Sequence, residues 1–281
     1  MASIKVIIFG AGGQGRRIYN ELANKPQIEV VGFVDNNKEK QGGEIFGISI
    51  LSPEHIAQME YDKIYIASMY AEDIENQLFS MGIESFQIET FQPQSVQLRI
   101  EWLRAFSEIL NARNIPGDVA EAGVFRGDFA KYINLFFPNR ILHLFDTFEG
   151  FSDKDIACET FESAASTGNY SNTSIQIVKD KLPHPELARI YPGYFPESAI
   201  ALKSDYSYCF VNLDMDLYLP TFRGLKFFWD KMSLGGVILV HDFFGEEYPN
   251  VRKAVFDFEA ELGHAISILP IGDGLSVAIT K

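Results

Sequence analysis

Apolar residues in this chain fall into short continuous runs, separated by polar stretches in which apolar positions recur every three or four residues. That pattern predicts strands buried on both faces alternating with helices packed over them, hence a parallel α/β sheet. In the first ninety residues the runs are 6–9, 28–35, 45–51, 63–67 and a short one around 86–88, giving four or five strands. A helix over 96–111 follows, with Leu98, Trp102, Ala105, Phe106, Ile109 and Leu110 on one side. Beyond it the pattern predicts a strand at 119–120, a helix over 125–137, a strand at 141–145, a polar loop over 152–172 and a helix over 175–182. Strands at 188–193, 206–213 and 235–242 come next, with helices over 221–232 and 251–261 among them. Two short strands close the chain around Gly272-Asp-Gly274, a hairpin signal that makes the last strand antiparallel. The expected architecture is α/β with two doubly wound domains, 1–91 and 92–281, joined near Gln92-Pro-Gln-Ser95.

Glycines and acids occupy the ends of these strands. Gly10, Gly12 and Gly15 complete a GxGxxG between a strand and a helix, and Asp35 ends the next strand about 20 residues on, as in a dinucleotide fingerprint. The second domain repeats the logic with a shorter turn, Glu121-Ala-Gly123, and an acid, Asp146, at the end of the following strand. Parallel strands deliver their carboxyl ends to one edge of the sheet, so Asp146 is expected beside the glycine turn, where it can accept both ribose hydroxyls. Two further strands end in acids, one in Asp214 and Asp216, the other in Asp242, and the three strand ends should converge on one crevice. Close carboxylates repel unless they share a proton or a cation, and oxygen ligands favour Mg²⁺, Ca²⁺ or Mn²⁺. His241 is a candidate base or further ligand. Adjacent residues of a strand face opposite ways, so it shares a site with Asp242 only if the strand has already ended.

Composition narrows the partners. Over 281 residues the formal net charge is −14 and the isoelectric point about 4.8, which argues against nucleic acid, since phosphate binding needs clustered Lys and Arg. No run reaches the ~20 apolar residues of a membrane span, and Met1-Ala-Ser-Ile-Lys leads straight into a strand without a signal core. With two scattered cysteines, Cys158 and Cys209, a cytoplasmic location is expected. Homo-oligomerisation is left open.

Four blocks in order, Glu121-Ala-Gly-Val-Phe-Arg-Gly127, Phe145-Asp-Thr-Phe-Glu-Gly150, Leu213-Asp-Met-Asp-Leu-Tyr218 with Thr221, and Leu234-Gly-Gly-Val-Ile-Leu-Val-His-Asp-Phe243, resemble the TylF-type macrocin O-methyltransferases over about residues 96–281. The resemblance implies a class I S-adenosylmethionine-dependent fold that methylates sugar hydroxyls with Mg²⁺. It implies that Glu121 and Gly123 lie beside the methionine part of the cofactor, that Asp146 holds the adenosine ribose, and that Asp214 and Asp242, with Asp216 as a third acid, bind the metal. His241 departs from the family, which usually carries an acid there. A cation on Asp214 and Asp242 would hold two vicinal hydroxyls of the acceptor while His241 takes the proton. The first domain, through Phe9-Gly-Ala-Gly-Gly-Gln-Gly-Arg16 and Gly32-Phe-Val-Asp-Asn-Asn37, resembles Rossmann-like modules that precede sugar-modifying domains, implying a nucleotide or nucleotide-sugar ligand. The competing readings are an NAD-dependent oxidoreductase and a non-catalytic nucleotide-sugar-binding protein, both working through the first domain.

Overall fold

A computed structural model describes residues 3–68, 70–90, 94–202 and 206–281, so residues 91–93 at the expected junction lie outside the described residues. The chain divides into two compact units, Met1–Gln94 and Ser95–Lys281.

The first unit runs β1 Ile4–Phe9, α1 Gly13–Ala23, β2 Ile28–Val34, β3 Glu44–Ile45, β4 Ile48–Leu51, β5 Lys63–Ile66, α2 Ala71–Ser80 and β6 Ile88–Thr90. The strands lie in the order β3-β4-β2-β1-β5-β6, parallel except for β3 against β4. The run at 45–51 is a hairpin rather than one strand, because Phe46 and Gly47 both take positive φ (53° and 76°) and reverse the chain between them. Strand alternation gives β1 two apolar faces. Val6 and Ile8 pack with Ile18, Leu22 and Phe33 beneath α1, and Ile7 and Phe9 with Ile64, Ile66, Ile74 and Leu78 beneath α2.

The second unit opens with α3 Gln94–Ala112. It continues with β7 Asp118–Ala122, α4 Ala130–Phe136, β8 Leu142–Asp146, α5 Asp153–Ile156, α6 Ile175–Lys181 and β9 Ala188–Pro192. Then come β10 Tyr208–Leu213, α7 Tyr218–Trp229, β11 Met232–Val240, α8 Asn250–Leu262, β12 Ser267–Pro270 and β13 Val277–Thr280. The sheet order is β12-β13-β11-β10-β7-β8-β9, and β13 runs antiparallel to both of its neighbours, as the Gly272-Asp-Gly274 turn predicted. The order reverses between β7 and β10, which makes the crevice at their carboxyl ends the switch point where doubly wound sheets bind ligands.

Both faces of this sheet are covered. Val119, Leu144, Phe210 and Leu239 pack with Leu103, Leu110 and Ile133 on the α3 side, while Val211, Leu213, Ile238 and Val240 pack with Leu225, Phe228, Val255 and Phe258 under α7 and α8. The buried stripe of α3 is Arg99, Leu103, Ser107 and Leu110, rotated from the side expected, with Leu98 and Ile109 exposed. No helix of the described residues is long and apolar enough to cross a membrane.

Two local departures from the sequence expectation shape the switch point. The helix expected over 125–137 begins only at Ala130, because Phe125 and Gly127 take positive φ (48° and 77°) and the chain turns there before it can wind. Strand β7 extends through Ala122, so Glu121 belongs to the strand, not to the turn, and its side chain is buried on the α3 face.

Candidate active site

The turn after β7 depends on one glycine. Gly123 has φ 84°, and a Cβ there would sit 1.8 Å from the carbonyl oxygen of Asp214, so no other residue allows β7 and β10 to approach this closely. Asp146, at the end of β8, straps the turn down. Its Oδ2 accepts from the backbone N–H of Val124 and Phe125 at 2.7 and 2.8 Å, and its Oδ1 from that of Phe148 at 2.7 Å. A carboxylate has about four acceptor positions. With three given to the backbone, Asp146 keeps room for one ribose hydroxyl where two were expected.

Across the crevice runs a chain of buried polar groups. Asn212 of β10 is in register with Glu121 of β7 and donates to its Oε1 at 2.8 Å. The Asn212 Oδ1 accepts from Arg99 Nη2 at 2.8 Å, and the same Nη2 donates to Asp214 Oδ2 at 3.0 Å. The Arg99 guanidinium lies 4.0 Å from the centroid of the Phe129 ring. Two buried atoms of the chain, Glu121 Oε2 and Arg99 Nε, have no partner among the described residues. Burial, reinforced by the nearby Asp214, pushes the Glu121 carboxyl well above the usual carboxylate range.

Asp214, His241 and Asp242 gather at the same edge. Strand β11 ends at Val240, and Asp242 takes the left-handed conformation (φ 55°), so the alternation that would part neighbours no longer applies. Nδ1 of His241 stands 3.1 Å from Asp214 Oδ1 and 3.0 Å from Asp242 Oδ2, pointing between the two oxygens and well aligned with neither. Burial and Arg99 oppose a charge on the imidazole, but the two carboxylates outweigh them and raise its pKa to about 9. Burial would likewise raise Asp214, yet His241 and Arg99 hold it well below the usual range. Asp216, also left-handed (φ 58°), goes the other way. Burial, then the charges of Asp242 and Asp214, push its carboxyl up. A raised pKa favours the protonated form of both His241 and Asp216, so this arrangement singles out neither as the proton acceptor.

The donors of Asp214, His241 and Asp242 all lie within 4.8 Å of one another. Two carboxylate oxygens and an imidazole nitrogen around one point suit a divalent cation with remaining positions open to water or hydroxyls. The orphaned Oε2 of Glu121, beside the Gly123 turn and the Asp146 strap, likewise suits a cofactor with a cationic end and a nucleoside.

An aromatic wall borders the acids. Tyr170, in the loop between α5 and α6, meets Tyr248 hydroxyl to hydroxyl at 2.9 Å, and both stand edge-on to Phe151. Burial raises both phenols, with Asp216 adding to the effect in each. The loop is fixed rather than slack. A Cβ on Gly150 would come within 2.2 Å of the Asn169 carbonyl, and fully buried Asn250 binds its other arm through Thr160, Phe161 and Glu159. Sequence reasoning missed Arg99, Asn212, Tyr170, Tyr248 and Asn250. Only Arg99 left a signal, as a charge at helical spacing with Leu103 and Leu110.

In the first unit Gly10 (φ 120°) and Gly15 answer to packing, since a Cβ on the first would lie 2.3 Å from the Ala67 carbonyl oxygen and on the second 1.9 Å from that of Gly10. Gly12 differs. A Cβ there would meet only Lys40 Nζ, at 3.8 Å. Asp35 accepts from Ala11 N at 2.8 Å and Lys40 Nζ at 3.1 Å through Oδ2, and from Asn37 N at 2.8 Å through Oδ1. Open space at Gly12 beside an ammonium and a helix start fits the phosphate end of a nucleotide.

The macrocin-O-methyltransferase (TylF) family model matches residues 95–274, and a C2185-like N-terminal model matches residues 2–89. The chain is 24% identical over 187 residues to the demethyldecarbamoylnovobiocin O-methyltransferase of Streptomyces niveus, covering 62% of this chain and 70% of that one. Among solved structures it resembles the O-methyltransferase NovP, with TM-score 0.56, 23% identity and coverage of 66% and 79% of the two chains. It also resembles the calicheamicin methyltransferase CalS11, with TM-score 0.53, 17% identity and coverage of 74% and 84%.

Proposed function

The chain belongs to the macrocin-O-methyltransferase (TylF) family and is an O-methyltransferase; from that premise we propose that it moves the methyl group of S-adenosylmethionine to a hydroxyl of a sugar-containing acceptor, assisted by a divalent cation of the Mg²⁺ type. The observation that carries this reading is the meeting of the Gly123 turn with Asp214, His241 and Asp242 at a single switch point. A nucleoside pocket alone would serve many chemistries. Beside a cation site it puts a methyl donor next to a place where a hydroxyl can be held and deprotonated.

When bound, S-adenosylmethionine supplies an electrophilic methyl, and a divalent cation lowers the pKa of a hydroxyl it holds. The chain's own residues do the rest. Asp146 and the Gly123 turn seat the adenosine, Glu121 faces the cationic methionine end, and Asp214 Oδ1, Asp242 Oδ2 and His241 Nδ1 would hold the cation. Arg99 keeps Asp214 Oδ2 occupied, so that acid offers one oxygen in a fixed direction. The proton of the attacking hydroxyl leaves through the cluster of Asp214, Asp216, His241 and Asp242, and the wall of Phe151, Tyr170 and Tyr248 keeps competing water away.

The first unit, in this proposal, binds a nucleotide or nucleotide-sugar over Gly12, supported by Asp35 and Lys40. A cytoplasmic location is supported by two free cysteines, Cys158 and Cys209, that form no disulfide. The test is transfer of a labelled methyl group to a panel of glycosylated acceptors. Transfer should stop with EDTA and resume with added Mg²⁺ or Mn²⁺, whereas transfer that survives both EDTA and Asp242→Ala removes the cation from the reaction.

A further inference from the structure

Glu121 and Arg99 are 1% and 7% exposed, and each keeps one charged-group atom, Oε2 and Nε, without a partner among the described residues. Leaving such atoms unpaired in a protein interior is costly, and an ordinary ion pair between them would satisfy both. The chain prevents that pairing. Asn212 stands between them, donating to Glu121 Oε1 and accepting from Arg99 Nη2, so that its amide separates the acid from the base. The guanidinium is held from behind by the Phe129 face, 4.0 Å away, and its Nη2 is committed to Asn212 and Asp214. What remains beside the carboxyl ends of β7 and β10 is one buried acceptor on an acid and one buried donor on a base, neither with a partner among the described residues.

A zwitterion matches that pair. We propose that Arg99, through Nε, binds the α-carboxylate of the methionine part of S-adenosylmethionine, while Glu121 Oε2 takes its α-ammonium group. The inference rests on the methyltransferase reading and adds to it a carboxylate-binding residue carried by the lead-in helix α3, outside the strand-end motifs. It also gives the donor a direct link to the acid site, because the nitrogen next to Nε in the same guanidinium holds Asp214.

The test compares three probes on the full chain by calorimetry: S-adenosylhomocysteine, its decarboxylated analogue, and 5′-methylthioadenosine, which lacks the whole amino-acid end. Arg99→Met keeps a side chain able to pack on Phe129. It should weaken S-adenosylhomocysteine by about 10–100-fold, the worth of one charge-assisted hydrogen bond, and leave 5′-methylthioadenosine unchanged. Removing the ligand carboxylate should weaken binding to the unaltered protein by a similar factor, and to Arg99→Met hardly at all. Equal weakening of all three probes would make Arg99 a structural residue and overturn the proposal, as would an unchanged affinity for S-adenosylhomocysteine. A second measurement needs no variant. In protein labelled with ¹⁵N-arginine, the Arg99 Nε–H resonance should move with S-adenosylhomocysteine but not with 5′-methylthioadenosine, and identical responses to both contradict the assignment. If none of the probes binds, the methyltransferase reading itself fails, a result distinct from binding that ignores Arg99.

Discussion

The two units carry the same local device, a glycine turn strapped to an acid at the end of the next strand, and differ in what stands across the switch point from it. In the first unit Asp35 holds the turn through Ala11 N and is paired with Lys40, and the neighbouring strand β5 runs on into Ala67 and Ser68 without a charged group. In the second, Asp146 holds the turn through backbone N–H groups alone, and β10 and β11 present Asp214, Asp216, His241 and Asp242. In the proposed reading, the turn and its acid make a place for a nucleoside. Whether chemistry happens beside it is decided by the strands on the far side of the switch, which the local fingerprint does not report.

The contrast can be broken most severely at the glycines. Gly123→Ala should destabilise the second unit by about 3 kcal/mol or more, since the left-handed backbone and the Asp214 carbonyl both exclude a Cβ. Gly12→Ala should stay within about 1 kcal/mol of the unaltered protein while abolishing whatever nucleotide binding the first unit has. Denaturant titration followed by circular dichroism measures both. Next comes the far side of the switch. Asp242→Asn should cut methyl transfer by about 100-fold or more with little change in S-adenosylhomocysteine affinity, whereas no single acid-to-amide change in the first unit should touch the rate.

The straps come third. Asp146→Asn weakens three backbone hydrogen bonds to a charged acceptor and should lose about 2–4 kcal/mol, and Asp35→Asn, whose partner Lys40 is well solvated, about 1–2 kcal/mol. A further effect is a pH dependence. The folded-state pKa of His241 is raised to about 9 from an ordinary value near 6.5, so its contribution to stability is complete below 6.5 and disappears as the pH rises through 9. Stability measured without added cation should therefore fall between pH 7 and 10, and His241→Gln should flatten that part of the profile.

Much of the framework was legible because doubly wound sheets write themselves as continuous apolar runs punctuated by glycine and acid. The hairpin at Gly272-Asp-Gly274, the acids at the ends of β8 and β10, and the sharing of one edge by Asp214 and Asp242 followed from that grammar. Local backbone conformation did not. Phe125, Asp216 and Asp242 are left-handed without being glycine, and it is this that delays α4 and turns Asp242 toward His241. Long-range pairing was also hidden. The Arg99 contact with Asn212 spans 113 positions and that of Tyr170 with Tyr248 spans 78, so no window of sequence contains both partners. Arg99 lies on the buried side of α3 because the sheet beneath it offers Asn212 and Asp214 as acceptors for a charge that otherwise faces water.

In the proposed function the methyl donor binds at the second switch point and not at the first. Calorimetric titration of the full chain with S-adenosylmethionine tests it directly, alongside Asp146→Ala and Asp35→Ala. One equivalent should bind to the unaltered protein, with binding lost in Asp146→Ala and kept in Asp35→Ala. Binding that disappears with Asp35→Ala and persists in Asp146→Ala, or a protein that takes NADH and ignores S-adenosylmethionine, would contradict it.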